Sequence, residues 1–146
     1  MIRDGKGPIV GSGNNMRSMA YVVNICQGLI LAALNDKAIG EKYWIADKKP
    51  YSMNAIIDTI ESILEKEFQI KCKKTRMRLP SFVSDIAYLC DLIIQKFGFY
   101  HQKIHVLSEM NKHIACSVNG AKIDLGYSPE YSLEIGMHTS LSEMYN

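Results

Sequence analysis

Arg17 is the residue whose type and position most suggest chemistry. It stands just after a Gly11-Ser12-Gly13-Asn14-Asn15 turn and just before a short run of strand-forming residues, Met19 to Val23. A guanidinium presents a planar fork of donors that matches phosphate oxygens and stays charged at any working pH. Gly11 and Gly13 have no side chain, so the backbone between them can approach a ligand closely. Asn14 and Asn15 can bind such a ligand or hold the turn, because asparagine tolerates left-handed backbone. Tyr21, on the strand run, can reach the same cleft or pack half-buried. The candidate anion-binding set is Arg17, Gly11, Gly13, Asn15 and Tyr21. On residue chemistry alone, a surface arginine beside a turn remains the alternative.

The other candidates are weaker. Lys74, Arg76 and Arg78 alternate, which on a strand puts them on one face. That pattern fits an anion site or a charged edge strand, which discourages sheet-to-sheet aggregation. His101 and His105 stand four apart, but no further ligands accompany them and no metal site is expected. Glu41, Glu61 and Glu65 read as solvated. Gly5-x-Gly7 and Gly11-x-Gly13 are not dinucleotide loops. Such a loop follows a strand and opens a helix, whereas Pro8 interrupts the first and the second leads into a strand.

The elements that must position these residues follow from caps and periodicity. Residues Met1 to Val10 read as loop or a short extended entry. Asn24 is read as the N-cap of a helix to about Asn35, with Ile25, Leu29, Ala32 and Ala33 on its buried face. Tyr43 to Ala46 reads as a buried strand. Ser52 caps a helix from about Met53 to Glu67, with an apolar stripe from Ile56 to Leu64. Pro80 and Ser81 open a third helix, from about Phe82 to Phe97, stopped by Gly98. Val83, Ile86, Ala87, Cys90, Ile93, Ile94 and Phe97 recur along it at helical spacing. Ile104 to Leu107 is a strand or a turn of helix, and Ile114 to Val118 an extended segment. A short helix closes at Gly126, and Ser132 caps a last one from Leu133 to about Met144. The fold class is therefore α+β, with about four main helices and short strands.

Composition excludes several classes. The chain has 146 residues, 47% hydrophobic and 22% charged, as an ordinary globular domain does. A net charge of +2 gives no argument for nucleic acid or membrane partners. No apolar run reaches the ~18 residues needed to span a bilayer, and no signal peptide is read near Met1. Cys26, Cys72, Cys90 and Cys116 are widely spaced, which favours free thiols and a cytoplasmic setting.

Three stretches carry a resemblance. The first is the Gly11 to Ala33 stretch, with its loop, arginine, strand and apolar helix. The second is Pro50-Tyr51-Ser52-Met53 with the helix that follows. The third is Leu125-Gly126-Tyr127-Ser128-Pro129 followed by Ser132-Leu133-Glu134-Ile135-Gly136. In this order they resemble the C-terminal, substrate-binding part of the NAD-dependent epimerase/dehydratase family, which are extended short-chain dehydrogenase/reductases. The resemblance implies a single substrate-binding domain over residues 1–146, with the N-terminal dinucleotide-binding Rossmann domain absent. It implies that Arg17 contacts the diphosphate of a nucleotide-sugar, and that Lys112 and His113 lie where some members add a phosphate contact. It implies NAD or NADP for the parent, with none bound by this chain alone.

Two positions depart from the family pattern. Val23 stands where an acid is usual, and Ser18 where many sugar-nucleotide members have Asp. These leave room for relatives acting on sterols or other alcohols. The family's Tyr-x-x-x-Lys pair, in which lysine lowers the tyrosine pKa, is absent from the chain. No catalytic residue is assigned, and the chain alone is expected to be inactive in hydride transfer. A non-catalytic module binding a nucleotide or a partner, and a subunit completed by a separate Rossmann polypeptide, are the other readings. An uncovered apolar face including Tyr43 to Ala46 and the Ile25 helix is expected, and with it a homodimer, a loosely packed monomer or poor solubility.

Overall fold

The computed structural model describes residues 2–145. Strand β1 (Pro8–Val10) pairs in parallel with β4 (Met77–Leu79), Ile9 facing Arg78. Strand β2 (Met16–Arg17) pairs antiparallel with β3 (Tyr51–Ser52), and Arg17 bridges to Ile114 on its other side. Among the described residues the helices are α1 (Val22–Ala33), α2 (Met53–Lys66), α3 (Phe82–Lys96), α4 (Gln102–Glu109), α5 (Asn119–Leu125) and α6 (Leu133–Tyr145). The α+β reading stands, with four helices longer than ten residues and only two- or three-residue strands.

Local chemistry explains the ends that sequence located well. Ser52 Oγ accepts from the Ala55 amide at 3.1 Å, the usual N-cap bond of α2. Gly98 and Gly126 end α3 and α5 with φ of +78° and +70°, the left-handed turn that releases a helix. Nothing lies within 4 Å of where a Gly126 side chain would start, so its cost is conformational alone. Gly126→Ala should therefore cost about 1 kcal/mol, read as a melting temperature lower by about 3 °C.

A small core holds α1 and α5 together. Ala121, Leu125 and Tyr127 pack against Leu31, Ala32, Tyr43 and Ile45, and the Tyr127 hydroxyl donates to the Ala46 carbonyl at 2.8 Å. Burial pushes the Tyr127 phenol above its ordinary pKa, so it stays a donor. Elsewhere α2 packs against α6, and Ile9, Val10, Ile57, Leu64 and Leu133 are buried.

Several sequence expectations are corrected. Residues 19–23 are not a strand. Extended pairing ends at Arg17, and α1 begins at Val22. Asn24 is not the N-cap. Tyr21 holds that position without a side-chain bond, while Asn24 is buried inside the first turn. The Ile25–Leu29 face of α1 is exposed, because Asn24 and Gly28 face the protein instead. Gly28 is needed there, since a Cβ would sit 2.8 Å from the Ile45 side chain. Tyr43 to Ala46 pairs with no strand among the described residues, and Trp44 is 70% exposed. The apolar face of α3 also points outward, with Ile86, Ile93 and Phe97 exposed while Ser84, Ala87 and Asp91 are buried. In each case periodicity located an apolar face but not what covers it.

The cysteines are free. Cys72 is buried, and desolvation raises its thiol pKa. Cys26 and Cys90 are exposed. A thiol reagent should therefore label Cys26 and Cys90 quickly and Cys72 last, as peptide mapping of a time course would show.

Candidate functional site

The Gly11 to Arg17 loop is clamped from three sides. The Gly11 amide donates to Leu79 O at 2.8 Å, tying the loop to β4. The Asn54 amide donates to Gly13 O at 3.0 Å, and Asn54 Nδ2 donates to Ser12 O at 3.0 Å, tying it to the start of α2. Arg78 Nη1 donates to Ser12 O at 2.8 Å. The third side is the chain leaving α4. Asn15 Nδ2 donates to Met110 O at 2.9 Å, and the Met16 amide donates to His113 Nδ1 at 3.2 Å.

Both loop glycines have φ above +70°. A Cβ on Gly11 would fall 2.5 Å from Asn111 Oδ1, and one on Gly13 2.5 Å from Asn54 Oδ1. These glycines thus admit neighbouring asparagines. Asn15 is buried, its amide on Met110 and its Oδ1 without a protein partner among the described residues.

Arg17 Nη2 donates to Glu109 O at 2.7 Å, at the last residue of α4. A cation there meets the negative end of the helix dipole. Its Nε, by contrast, has no protein partner among the described residues. The guanidinium is thus fixed by one nitrogen and retains donor capacity on the others.

Tyr21 is elsewhere. Its ring stacks on Tyr131 at 5.0 Å between centroids and lies against Gly136, where a Cβ would come within 2.9 Å of it. It lines a separate cleft of about 230 Å³ with Met19, Val22, Asp47, Leu133 and Met137. The structure therefore groups Gly11, Gly13, Asn15 and Arg17 on one loop, with Tyr21 outside the group.

The cleft contains a residue that sequence reading passed over. Asp47 is buried, and its Oδ1 accepts from Asn24 Nδ2 at 2.8 Å and from the Tyr21 amide at 3.3 Å. It places a carboxylate at the N-terminus of α1, where the helix dipole favours one. Neither Val23 nor Asn24 supplies that charge. The faint signal in the sequence is an acid directly after the apolar Tyr43 to Ala46 run.

Two of the three alternating cations, Lys74 and Arg76, are paired with acids, while Arg78 holds the Ser12 carbonyl. Strand β4 covers only Met77–Leu79, and Lys74 pairs with Glu65 at 3.2 Å. Arg76 pairs with Asp58 and with Glu61 at 3.1 Å, and Asp58 is the main cause raising its pKa. Glu61, read as solvated, is buried beneath that guanidinium. Lys112 pairs with Glu109 at 2.7 Å and lies over the Tyr88 ring.

No protein-family profile matches the chain. Among curated proteins it is 47% identical over 141 residues to an uncharacterized protein, y4nL, of Sinorhizobium fredii, covering 97% of this chain and 40% of that one. It is 34% identical over 144 residues to the N-acetyl-alpha-D-glucosaminyl-diphospho-ditrans,octacis-undecaprenol 4-epimerase of Escherichia coli O157:H7, covering 96% and 41%. Its fold matches the Helicobacter pylori ADP-L-glycero-D-manno-heptose-6-epimerase with a TM-score of 0.60 at 18% identity, over 96% of this chain and 33% of that one.

The chain has the fold of the C-terminal part of an NAD-dependent epimerase/dehydratase.

It corresponds to the C-terminal part of these extended short-chain dehydrogenase/reductases, and spans about 40% of the first curated relative's length. A sterol-acting member, the 3beta-hydroxysteroid-dehydrogenase/decarboxylase isoform 2 of Arabidopsis thaliana, is 27% identical over 147 residues, covering 91% of this chain and 25% of its own. The solved UDP-glucuronic acid 4-epimerase of Bacillus cereus, in complex with NAD, matches with a TM-score of 0.56 at 22% identity, over 95% of this chain and 35% of that one.

Proposed function

We propose that the chain is the substrate-binding part of an epimerase-like enzyme acting on a sugar diphosphate. Arg17, on the clamped Gly11 to Arg17 loop, grips the diphosphate. The observation that carries this reading is a guanidinium beside a glycine loop, anchored by one nitrogen at the end of α4 with its Nε buried and unpartnered among the described residues. The relatives support it. By their names, the Escherichia coli epimerase acts on a sugar diphospho-lipid, and the Bacillus cereus structures hold NAD or UDP-glucuronic acid. A diphosphate joined to a sugar is common to these substrates, and an arginine fork suits it.

Hydride transfer belongs to a dinucleotide-binding domain outside these residues, which would supply the NAD or NADP site. That domain is the proposed partner for the exposed apolar face formed by Leu29, Ile30 and Leu34 of α1 and its end, with Ile39 and Trp44 beside it. Free thiols fit a cytoplasmic setting.

Equilibrium titration tests the reading. The chain should bind UDP-sugars and fail to bind uridine, which lacks the diphosphate. Equal binding of the two, or none of either, would overturn it.

A further inference from the structure

The hairpin of α3 and α4 buries several polar side chains beside the apolar Val83, Ala87, Ile104 and Leu107, and leaves much of its apolar surface outside. Its buried residues include Ser84, Asp91 and Ser108. Its outer surface carries Phe82, Ile86, Leu89, Leu92, Ile93 and Val106, all exposed. The polar interior satisfies much of itself. Asp91 Oδ2 takes His105 Nδ1 at 2.8 Å and Gln95 Nε2 at 2.7 Å. Ser84 Oγ donates to Ser108 O at 2.8 Å, and Ser108 Oγ donates to His105 O at 2.7 Å. An exposed apolar surface of this extent is unusual in water. It suits apolar surroundings, where polar groups must find partners within the protein.

The tip shows which apolar surroundings. The turn between the helices holds Phe97, Phe99 and Tyr100, with Phe97 and Phe99 exposed by 73% and 71%. Lys96 and Lys103 flank this aromatic turn, and His101 lies within it. The hairpin's other acids, exposed Asp85 and half-buried Glu109, lie toward its base instead. Aromatic rings beside long cationic side chains match a membrane interface, where rings enter and lysines reach back to anionic headgroups. The 15 residues of α3 rise about 22 Å, short of the ~30 Å hydrocarbon core. Among the described residues no helix is long and apolar enough to cross a membrane.

We infer that the α3–α4 hairpin docks this chain peripherally on an anionic lipid bilayer, entering it by the Phe97–Tyr100 turn. A second copy packed along α3 would cover Ile86 and Ile93 but would not account for a basic aromatic tip. The net charge of +2 hides this because the cations matter by place rather than by sum. The inference goes beyond the sugar-diphosphate reading and does not depend on it. Its consequence for that reading is geometric, since α4 ends at Glu109, whose carbonyl holds Arg17. The eight residues of α4 span about 12 Å, which brings the headgroup region near the loop and suits a substrate carried on a membrane lipid.

Co-sedimentation of the full chain with vesicles tests this, comparing phosphatidylcholine alone with phosphatidylcholine plus phosphatidylglycerol. The chain should pellet with the anionic vesicles. Phe97→Ser with Phe99→Ser should weaken that at least about tenfold. Failed sugar-diphosphate binding alongside intact vesicle binding would sink only the substrate reading. No sedimentation, equal binding to neutral vesicles, or sedimentation untouched by the two serines overturns the docking. So does a concentration-dependent dimer that the serines dissociate without any vesicle binding, which assigns the face to a second copy. If the serine variant does not melt cooperatively, Phe99→Trp in a Trp44→Phe chain replaces it. Its emission should shift to the blue with anionic vesicles, and an unshifted spectrum overturns the docking.

Discussion

Asn24→Ala is expected to destabilise the chain by about 3 kcal/mol, the largest loss from any single small substitution considered above. Asn24 is 1% exposed, and its amide makes three bonds at once. Nδ2 donates to Asp47 Oδ1 and to Tyr131 O, both at 2.8 Å, and Oδ1 accepts from the Tyr131 amide at 3.2 Å. Those bonds join the first turn of α1 to the segment before α6, 107 residues away in sequence. Alanine removes them together and strips the buried Asp47 carboxylate of its side-chain donor. A buried polar group left unpaired costs roughly 1–3 kcal/mol, and partial access of water to Tyr131 keeps the sum near the lower end. Against a total stability of roughly 5–15 kcal/mol the change is large. It should lower the melting temperature by about 10 °C.

Asn24→Asp separates the hydrogen bonds from the shape. It nearly preserves volume but sets a second carboxylate against Asp47. Repulsion would raise the folded-state pKa of the new acid above its unfolded value of about 4. Stability would then be retained below that unfolded value and lost as pH rises through the folded one. Urea melts at pH 7 and near pH 4 would reveal it. An alanine variant within about 0.5 kcal/mol of the parent would show that Asn24 is no staple.

Asn24 also shows what a sequence conceals. Its type suited an N-cap, and a helix does run through it from Val22, but its partners lie 23 and 107 residues away. Features set by neighbours in sequence were legible. Ser52 at the start of α2, Gly98 and Gly126 at helix ends, and Leu133 at the start of α6 all stand where local rules put them. The family resemblance was legible for the same reason, since its three stretches are local patterns. Features set by distant packing were not. Ile25 and Ile93 marked apolar faces, but nothing in their spacing says that those faces stay uncovered in this chain. Glu61 looked solvated because Arg76, 15 residues on, is not a helical neighbour. Tyr43 to Ala46 has strand-forming residues, yet a strand exists only where another can pair with it, and here its carbonyl at Ala46 goes to Tyr127 instead.

Arg17→Ala should weaken binding of a UDP-sugar by about 100-fold, while leaving the fold nearly intact. The size follows from what the guanidinium can still offer. One nitrogen is held by Glu109 O, and Nε has no protein partner. Each charge-assisted bond to a phosphate oxygen contributes roughly 1.5–3 kcal/mol. Loss of one strong bond or two modest ones, about 3 kcal/mol, corresponds to about 100-fold in Kd. Stability should change little, because Arg17 is only half-buried and the Glu109 carbonyl, at a helix end, can turn to water.

Arg17→Lys distinguishes geometry from charge. Lysine keeps the positive charge but loses the planar fork, so an intermediate loss of about tenfold is expected. Calorimetric titration of the three chains, with thermal melts alongside, reads both quantities. Equal Kd values for arginine and alanine would remove Arg17 from the site, and the Gly11 to Arg17 loop would then be a structural clamp between α2 and α4. Equal values for arginine and lysine, both far tighter than alanine, would keep the site but make it a point-charge contact. That outcome would favour Nε as a bystander and shift the recognition of the diphosphate toward the backbone amides of the loop.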